Sequence, residues 1–323
     1  MKFKLKFKKH IFSGPSRLFL GELPVSPNVF PQVLHLFSFF GILAITEFLP
    51  QRWEMEIFLE RRNLLMASLA IQAVTFNIRY DCGRDGCNNF SFRKGHILQT
   101  IRERQPDVIG FQEVLPHVMT WLQDHLEQYH VVGCGRGAHY DDEHMAIAYR
   151  KDRFDLFALD TFWLSPTPFV PGSRYENQSD NPRICTCATL KDRNFPQPFR
   201  VYVTHLDDQG ASARCQGISQ VLARMKEDRE RLSMPIILMG DFNAHPDEEE
   251  LRLVGACPFL RDVTSRFPYT FHGFGDESAF EKIDYIFVSS EWAPGKVSLW
   301  KDCWDGVYLS DHYPISAQLT LPE

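Results

Sequence analysis

The sequence predicts an α/β sandwich rather than a single wound parallel sheet. Three observations carry that expectation. Short apolar runs rich in branched and aromatic residues recur from about residue 71 onward, and most end in a lone Asn, Asp, Glu or His. Stretches with apolar residues four apart, the spacing of one helix face, fall between those runs. The chain also divides into two strand-rich halves, each interleaved with helices, which suits packed sheets.

Before that texture begins, residues 1–70 read as an N-terminal extension to a domain spanning 71–323. Lysines alternate with Phe and Leu at the start, and Pro15, Pro24, Pro27 and Pro31 follow. A short hydrophobic segment within 33–49 is expected there. Its apolar core, Val33 to Thr46, is 14 residues, short of the roughly 20 needed to cross a bilayer. Poor order and a cytoplasmic location are therefore expected, the alternative being membrane attachment or export through residues 1–50. The eight cysteines are scattered without the paired spacing of a zinc site and read as free thiols in a reducing compartment.

The elements follow in order. Gln72 to Arg79 is a strand with Asn77 near its end, and Asp81 to Asn89 is turn chemistry. Arg93 to Arg104 is a helix with Ile97 and Ile101 on one face, closed by Gln105-Pro106. Asp107 to Glu113 is a second buried strand. Pro116 opens a helix carrying Val118, Leu122 and Leu126. Strands are expected at 129–133, 144–150 and 154–162, then a long loop from Ser165 to Pro182. Strands at 184–190 and 199–204 lead to His205, and a helix spans 211–230. Ile236 to Met239 is a buried strand that turns at Gly240 and presents Asp241 and Asn243. An acidic helix near 247–254, a strand at 282–288 containing Asp284, Asp311-His312 and a closing strand complete the chain.

A carboxylate and a carboxamide two residues apart at a strand end can address a water, a metal or a phosphate oxygen. They can equally form an Asx-type turn, bonding only their own backbone. Company decides between these. Asn77, Glu113, Glu143 with His144, His205, Asp241 with Asn243, Asp284, and Asp311 with His312 all stand at strand ends. Turn formation alone does not explain seven ends choosing from four titrating or coordinating residue types.

In order and spacing, Asn77, Gln112-Glu113, Thr204-His205, Gly240-Asp241-Phe242-Asn243, Ile283-Asp284-Tyr285 and Ser310-Asp311-His312 resemble the endonuclease/exonuclease/phosphatase superfamily. The resemblance covers about residues 72–320 and is nearest to compact, bacterial-type, single-domain members. It implies a four-layer, deoxyribonuclease I-like α/β sandwich: two packed mixed β-sheets flanked by helices, with the site at one edge. It also implies that Asp241 orients and deprotonates a water, while Asn243 donates a hydrogen bond. Attack on a phosphoester calls for a hard cation and charge stabilisation as well. Glu113 is the leading metal carboxylate, with Asn77 and Asp311 completing an oxygen-rich shell for Mg2+ or Mn2+. His205 and His312 are the candidate proton donors, partnered by Glu143 and Asp284 respectively. Arg183 is a candidate phosphate clamp or a plain surface arginine.

The function expected is therefore Mg2+-dependent hydrolysis of phosphodiesters or phosphomonoesters. The leading form is a nuclease, such as a 3′-5′ exonuclease on short or single-stranded nucleic acid. The alternative is a phosphatase or phosphodiesterase on a small sugar phosphate or a phospholipid headgroup; a non-catalytic module on the same fold ranks below both. Nine of 35 basic residues and five of 41 acidic ones fall in 1–70, leaving 71–323 with a net charge of −10. Such a surface disfavours sequence-independent capture of long nucleic acid. A monomer with no obligate protein partner is expected.

Overall fold

The computed structural model describes residues 68–322. The hydrophobic segment 33–49 and nearly all of the expected extension 1–70 lie outside the described residues. The folded unit starts slightly earlier than its texture suggested, because the first strand begins at Leu69, paired with Leu321.

In chain order the described elements are β1 (Leu69–Asn77), α1 (Phe90–Arg104), β2 (Val108–Val114), α2 (Pro116–His125), β3 (Tyr129–Val132), β4 (His144–Arg150), β5 (Phe154–Trp163), β6 (Ile184–Asp192), β7 (Phe199–His205), α3 (Ala211–Arg231), β8 (Ile236–Asp241), α4 (Glu249–Gly255), β9 (Leu260–Asp262), β10 (Asp284–Ser289), β11 (Ala293–Leu299), β12 (Cys303–Trp304), β13 (Val307–Tyr308) and β14 (Ile315–Leu321). One six-stranded sheet runs β11-β14-β1-β2-β4-β3 and the other β5-β6-β7-β8-β10-β9. Both are mixed: β1 with β2 and β7 with β8 are parallel, and the other pairs are antiparallel.

Strand alternation builds the four layers. Ile71, Ala73, Ile147, Val201, Val203, Ile237, Met239 and Ile286 meet between the sheets. Their neighbours one residue on point the other way. Val74, Phe76, Ile109 and Phe111 pack under Ile97, Ile101, Val118 and Leu122 of α1 and α2. Tyr202, Ile236 and Leu238 pack under Ile218, Val221 and Met225 of α3. The expected stops hold locally. Gln105 closes α1 in the left-handed region (φ 45°) with its N–H on Ile101 O, and Pro106 prevents continuation.

Four strands lay outside the sequence expectation: β9, β11, β12 and β13. The edge strand β11 contains Pro294 and Gly295 and is irregular between Pro294 and Val297, so it carries none of the usual strand pattern. Strands β9, β12 and β13 are two or three residues long.

This topology collects the site. The C-terminal ends of the parallel pairs β1/β2 and β7/β8 lie at one edge of the sandwich. The N-terminal ends of their antiparallel partners β14, β4, β10 and β6 arrive at that same edge, as the pairings Asp284↔Asp241 and Val114↔His144 show.

Candidate active site

The strand ends surround a cleft of about 750 Å3 lined by eight carboxylate side chains, three arginines, His205 and His312. A second groove, about 620 Å3 between α3 and the segment after α4, is mostly apolar and holds no comparable cluster of titratable groups.

At the centre lies a carboxylate group. Asn77 sends its amide nitrogen between Glu113 Oε1 and Asp241 Oδ2, at 2.9 Å from each. Its carbonyl oxygen is taken by the Arg79 N–H at 3.0 Å. Asn77 therefore ties two carboxylates together instead of offering them an oxygen-ligand neighbour, a correction to the expected metal shell. Glu113 is aimed by the backbone. Its φ is +64° and the β2–β4 register shifts between Phe111 and Val114, a bulge that turns the side chain out of the sheet. Its Oε2 accepts from the Tyr80 N–H at 2.8 Å.

Asp241 uses its two oxygens differently. Oδ1 accepts the Asn243 N–H at 2.9 Å, while Oδ2 faces Asn77 and the histidines. The Asx turn and the functional placement are thus both present, one oxygen each. Burial and the neighbouring Asp284 push the Asp241 carboxyl up to about 7.

His312 sits beneath Asp241. Its Nδ1 is 2.9 Å from Asp284 Oδ2, the expected partner, and its Nε2 is 3.7 Å from Asp241 Oδ2. Burial alone would lower its pKa, but Asp284, Asp241 and Asp311 together raise it to about 10. His312 is therefore an imidazolium with an N–H directed at the carboxylates. Asp311 accepts from Ser310 and lies 3.5 Å from Arg79 Nε; burial and Glu113 raise its carboxyl.

Ligand atoms of Glu113, Asp241 and His312 lie within 4.8 Å of one another. With Asp311 alongside, this is more negative charge than His312 and Arg79 balance, and carboxylate oxygens suit a hard divalent cation. The residues fit one. Glu113, with Asp311 beside it, is its natural holder, which leaves Asp241 Oδ2 for proton transfer; His312 would first have to lose its Nε2 proton to serve as a ligand.

The His205 side departs from expectation. Glu143 does not partner His205: Arg136 Nη1 takes it, 3.0 Å from Oε2, while Arg136 Nε bonds Asp142 Oδ2 at 3.0 Å. The reason is geometric, because Arg136 lies on the same loop and its main-chain N–H is fixed to Glu143 O. Burial, only partly opposed by Arg136, pushes Glu143 up to about 7. His205 instead has its Nε2 3.0 Å from the Asn243 amide nitrogen and 3.5 Å from Asp241 Oδ2. Burial first, then Arg183 and Arg136, hold its pKa well below the ordinary histidine value. A neutral ring that accepts at Nε2 carries its proton on Nδ1. His205 is thus not a ready proton donor at Nε2, which leaves His312 alone in that part. His144 turns away to the carbonyls of Val114 and Asp142. Arg183 is no surface arginine; it is 4% exposed, lines the cleft and bonds Asp208 at 2.8 Å.

Sequence reading missed Arg136 and Arg93. Arg136 lies in a Gly-Arg-Gly turn, without periodicity to mark it. Arg93 is fully buried in α1 and donates to the carbonyls of Asn88, Ile78, Leu309 and Arg79. It thereby fastens the segment after Asn77 to the segment before Asp311. Its helical position was legible, but four distant carbonyl partners were not.

Gly240 has a reason other than the expected tight turn. It is still within β8, at φ +152°, and a Cβ there would collide with the Thr204 carbonyl of β7. Gly240→Ala is expected to cost about 3 kcal/mol, in the range of overpacking a tight core. A urea titration checks this, and a change under 1 kcal/mol would show that β7 and β8 can separate freely here.

The matching family model is the Endonuclease/Exonuclease/phosphatase family, over residues 74–312. An endonuclease/exonuclease/phosphatase from Bacteroides vulgatus shares 30% identity over 78% of this chain and 99% of its own, with TM-score 0.73. A mannosyl-6-phosphatase from Bacteroides thetaiotaomicron shares 28% identity over 77% of this chain and 99% of its own, with TM-score 0.71. The human Nocturnin catalytic domain is similar in fold at 20% identity, covering 79% of this chain and 97% of its own, with TM-score 0.63. Comparison with curated protein sequences finds no match. Sheet order and strand-end constellation therefore define a deoxyribonuclease I-like sandwich that hydrolyses phosphoesters. The chain belongs to the endonuclease/exonuclease/phosphatase family. Among the described residues no helix is long and apolar enough to cross a membrane.

Proposed function

We propose that this enzyme is a Mg2+-dependent phosphatase or phosphodiesterase acting on a small phosphate ester rather than on nucleic acid. The observation that carries this reading is the charge of the cleft, eight carboxylates against three arginines. All three arginines are already engaged by acids of the chain: Arg79 by Asp85, Arg136 by Asp142 and Glu143, and Arg183 by Asp208. A polyanionic strand needs a row of available cations along its backbone. One phosphoryl group beside one divalent cation does not. The likeness to a mannosyl-6-phosphatase supports the same choice.

A bound divalent cation would polarise a phosphoryl oxygen and lower the pKa of a neighbouring water. The chain's residues supply the rest. Asp241 Oδ2 takes the proton of the attacking water, and Asn243 and Asn77 hold that carboxylate in place. His312, charged and backed by Asp284, neutralises the developing charge and donates toward phosphate.

Two limbs in the pH–rate profile are expected. Below the Asp241 pKa the base is protonated, so activity rises with pH up to about 7, or lower where the cation favours the carboxylate. Above about 10 His312 loses its proton and activity falls. Steady-state rates between pH 5 and 11 check this. A profile with no alkaline limb would remove the imidazolium from the chemistry.

The direct test is turnover of small phosphate esters and of single-stranded oligonucleotides, with Mg2+ and with a chelator. Chelator-sensitive hydrolysis of the small esters supports the reading. Faster turnover of the oligonucleotides would replace it with the nuclease.

A further inference from the structure

Lys282 is a buried cation that the chemistry described above does not use. Its neighbours Glu281 and Ile283 line the cleft, whereas Lys282 is 4% exposed and packs behind them. Its ammonium lies 3.6 Å from the centre of the Tyr285 ring and 3.3 Å from Thr264 Oγ1, and it donates to the main-chain carbonyl of Asp284. Thr264 is free to accept because its own hydroxyl proton goes to Asp262 Oδ1 at 2.5 Å. Burial, only partly opposed by Asp262 and Asp284, pulls the Lys282 pKa down to about 8. A buried charge persists only where such partners hold it.

The sheet explains why a side chain is needed there. Phe242 N–H bonds Ile283 O at 2.8 Å, so the main-chain groups of Asp284 point away from β8, toward the β9 side. Strand β9 ends at Asp262, opposite Phe287. Val263 still donates to Ile286 O at 3.1 Å, but the chain then turns, with Phe267 N–H on Thr264 O at 3.1 Å. Lys282 Nζ therefore takes the place of the next ladder bond, the one to Asp284 O. The Asp284 N–H goes to another side chain, Thr270 Oγ1, at 3.0 Å. Two side chains thus hold the backbone of Asp284 where the neighbouring strand has stopped. The carboxylate carried there lies 2.9 Å from His312 Nδ1.

We infer that Lys282 is a positioning residue: by holding the Asp284 carbonyl where β9 ends, it fixes the carboxylate that orients His312. It touches no reacting atom. This rests on the reading of His312, backed by Asp284, as the group that donates toward phosphate.

The test is a double-mutant cycle in kcat on p-nitrophenyl phosphate and bis-p-nitrophenyl phosphate. It uses the full chain with Mg2+, with rates taken per folded molecule from urea titrations. Asp284→Asn is expected to lower kcat about 100-fold. Lys282→Met is expected to lower it about tenfold with KM unchanged, the effect of slightly misplacing a catalytic group. In the Asp284→Asn background, Lys282→Met should have no further effect, because the group it positions has gone. If Lys282→Met does not fold, Lys282→Gln, with a neutral donor on a shorter stem, takes its place under the same criterion. A second readout needs no turnover. The His312 Nδ1 proton, donated to Asp284, is expected as a low-field NMR resonance missing from His312→Gln, and Lys282→Met should move it upfield. An unmoved resonance, losses that multiply across the cycle, or no loss per folded molecule overturns the role of Lys282 while the His312 reading stands. An Asp284→Asn enzyme as active as the wild type overturns both.

Discussion

Asp241→Ala is expected to lower phosphoester hydrolysis by about 10^3-fold, within the usual range for removing a positioned general base. The loss should appear in kcat, because Asp241 acts on the water rather than on the substrate's recognition groups. Stability should respond in the opposite direction. The Asp241 carboxyl is raised to about 7 by burial and by Asp284, so its charge works against the fold above that pH. A raised carboxylate contributes less to folding as pH climbs past its ordinary value. Alanine removes that charge, and Asn77 keeps its bond to Glu113. Thermal unfolding at pH 8 should therefore show a midpoint equal to or above that of the wild type. Retained activity within tenfold of the wild type would remove Asp241 from the role of base.

The largest expected effect on stability belongs to Arg93→Met. The substitution keeps an apolar stem of similar length but strips the donors from four buried carbonyls, those of Asn88, Ile78, Leu309 and Arg79. Each buried acceptor left unpaired costs about 1–3 kcal/mol, and partial relaxation brings the expected total to about 4 kcal/mol. Arg93→Lys should recover less than half, because one ammonium cannot span the fork of a guanidinium. Denaturant titration of the three proteins orders them. Activity should fall further in Arg93→Met than the fraction unfolded explains, since Ile78 and Leu309 flank the segments bearing Asn77 and Asp311. If Arg93→Met unfolds like the wild type, the four carbonyls have another donor, and the residue is only a filler.

The family, the fold class and the central residues were legible because each is encoded locally. A buried strand must read as an apolar run, and a polar residue at its end stands out against that run. Asn77, Glu113, His205, Asp241, Asp284 and His312 were all visible in this way, and the structure brings them from both sheets to one edge of the sandwich. Strand β11 was invisible for the converse reason. Its Pro294 and Gly295 are tolerated only because the strand has a single partner, and that is a fact about the sheet.

What the chain alone determined, then, was the set of chemical groups at the Gly240-Asp241-Phe242-Asn243 strand end and the kind of reaction they support. Tertiary structure decided their pairing and charge. Glu143 went to Arg136 because one loop brings both together, and His312 kept its proton because three carboxylates surround it. His205 lost that option because burial, with Arg183 and Arg136 nearby, disfavours its charged form, and the Asn243 amide meets the neutral ring at Nε2. Hydrogen-bond partners and proton affinities depend on distances of a few ångströms between residues far apart in sequence. Residue order carries the groups, and only packing sets those distances.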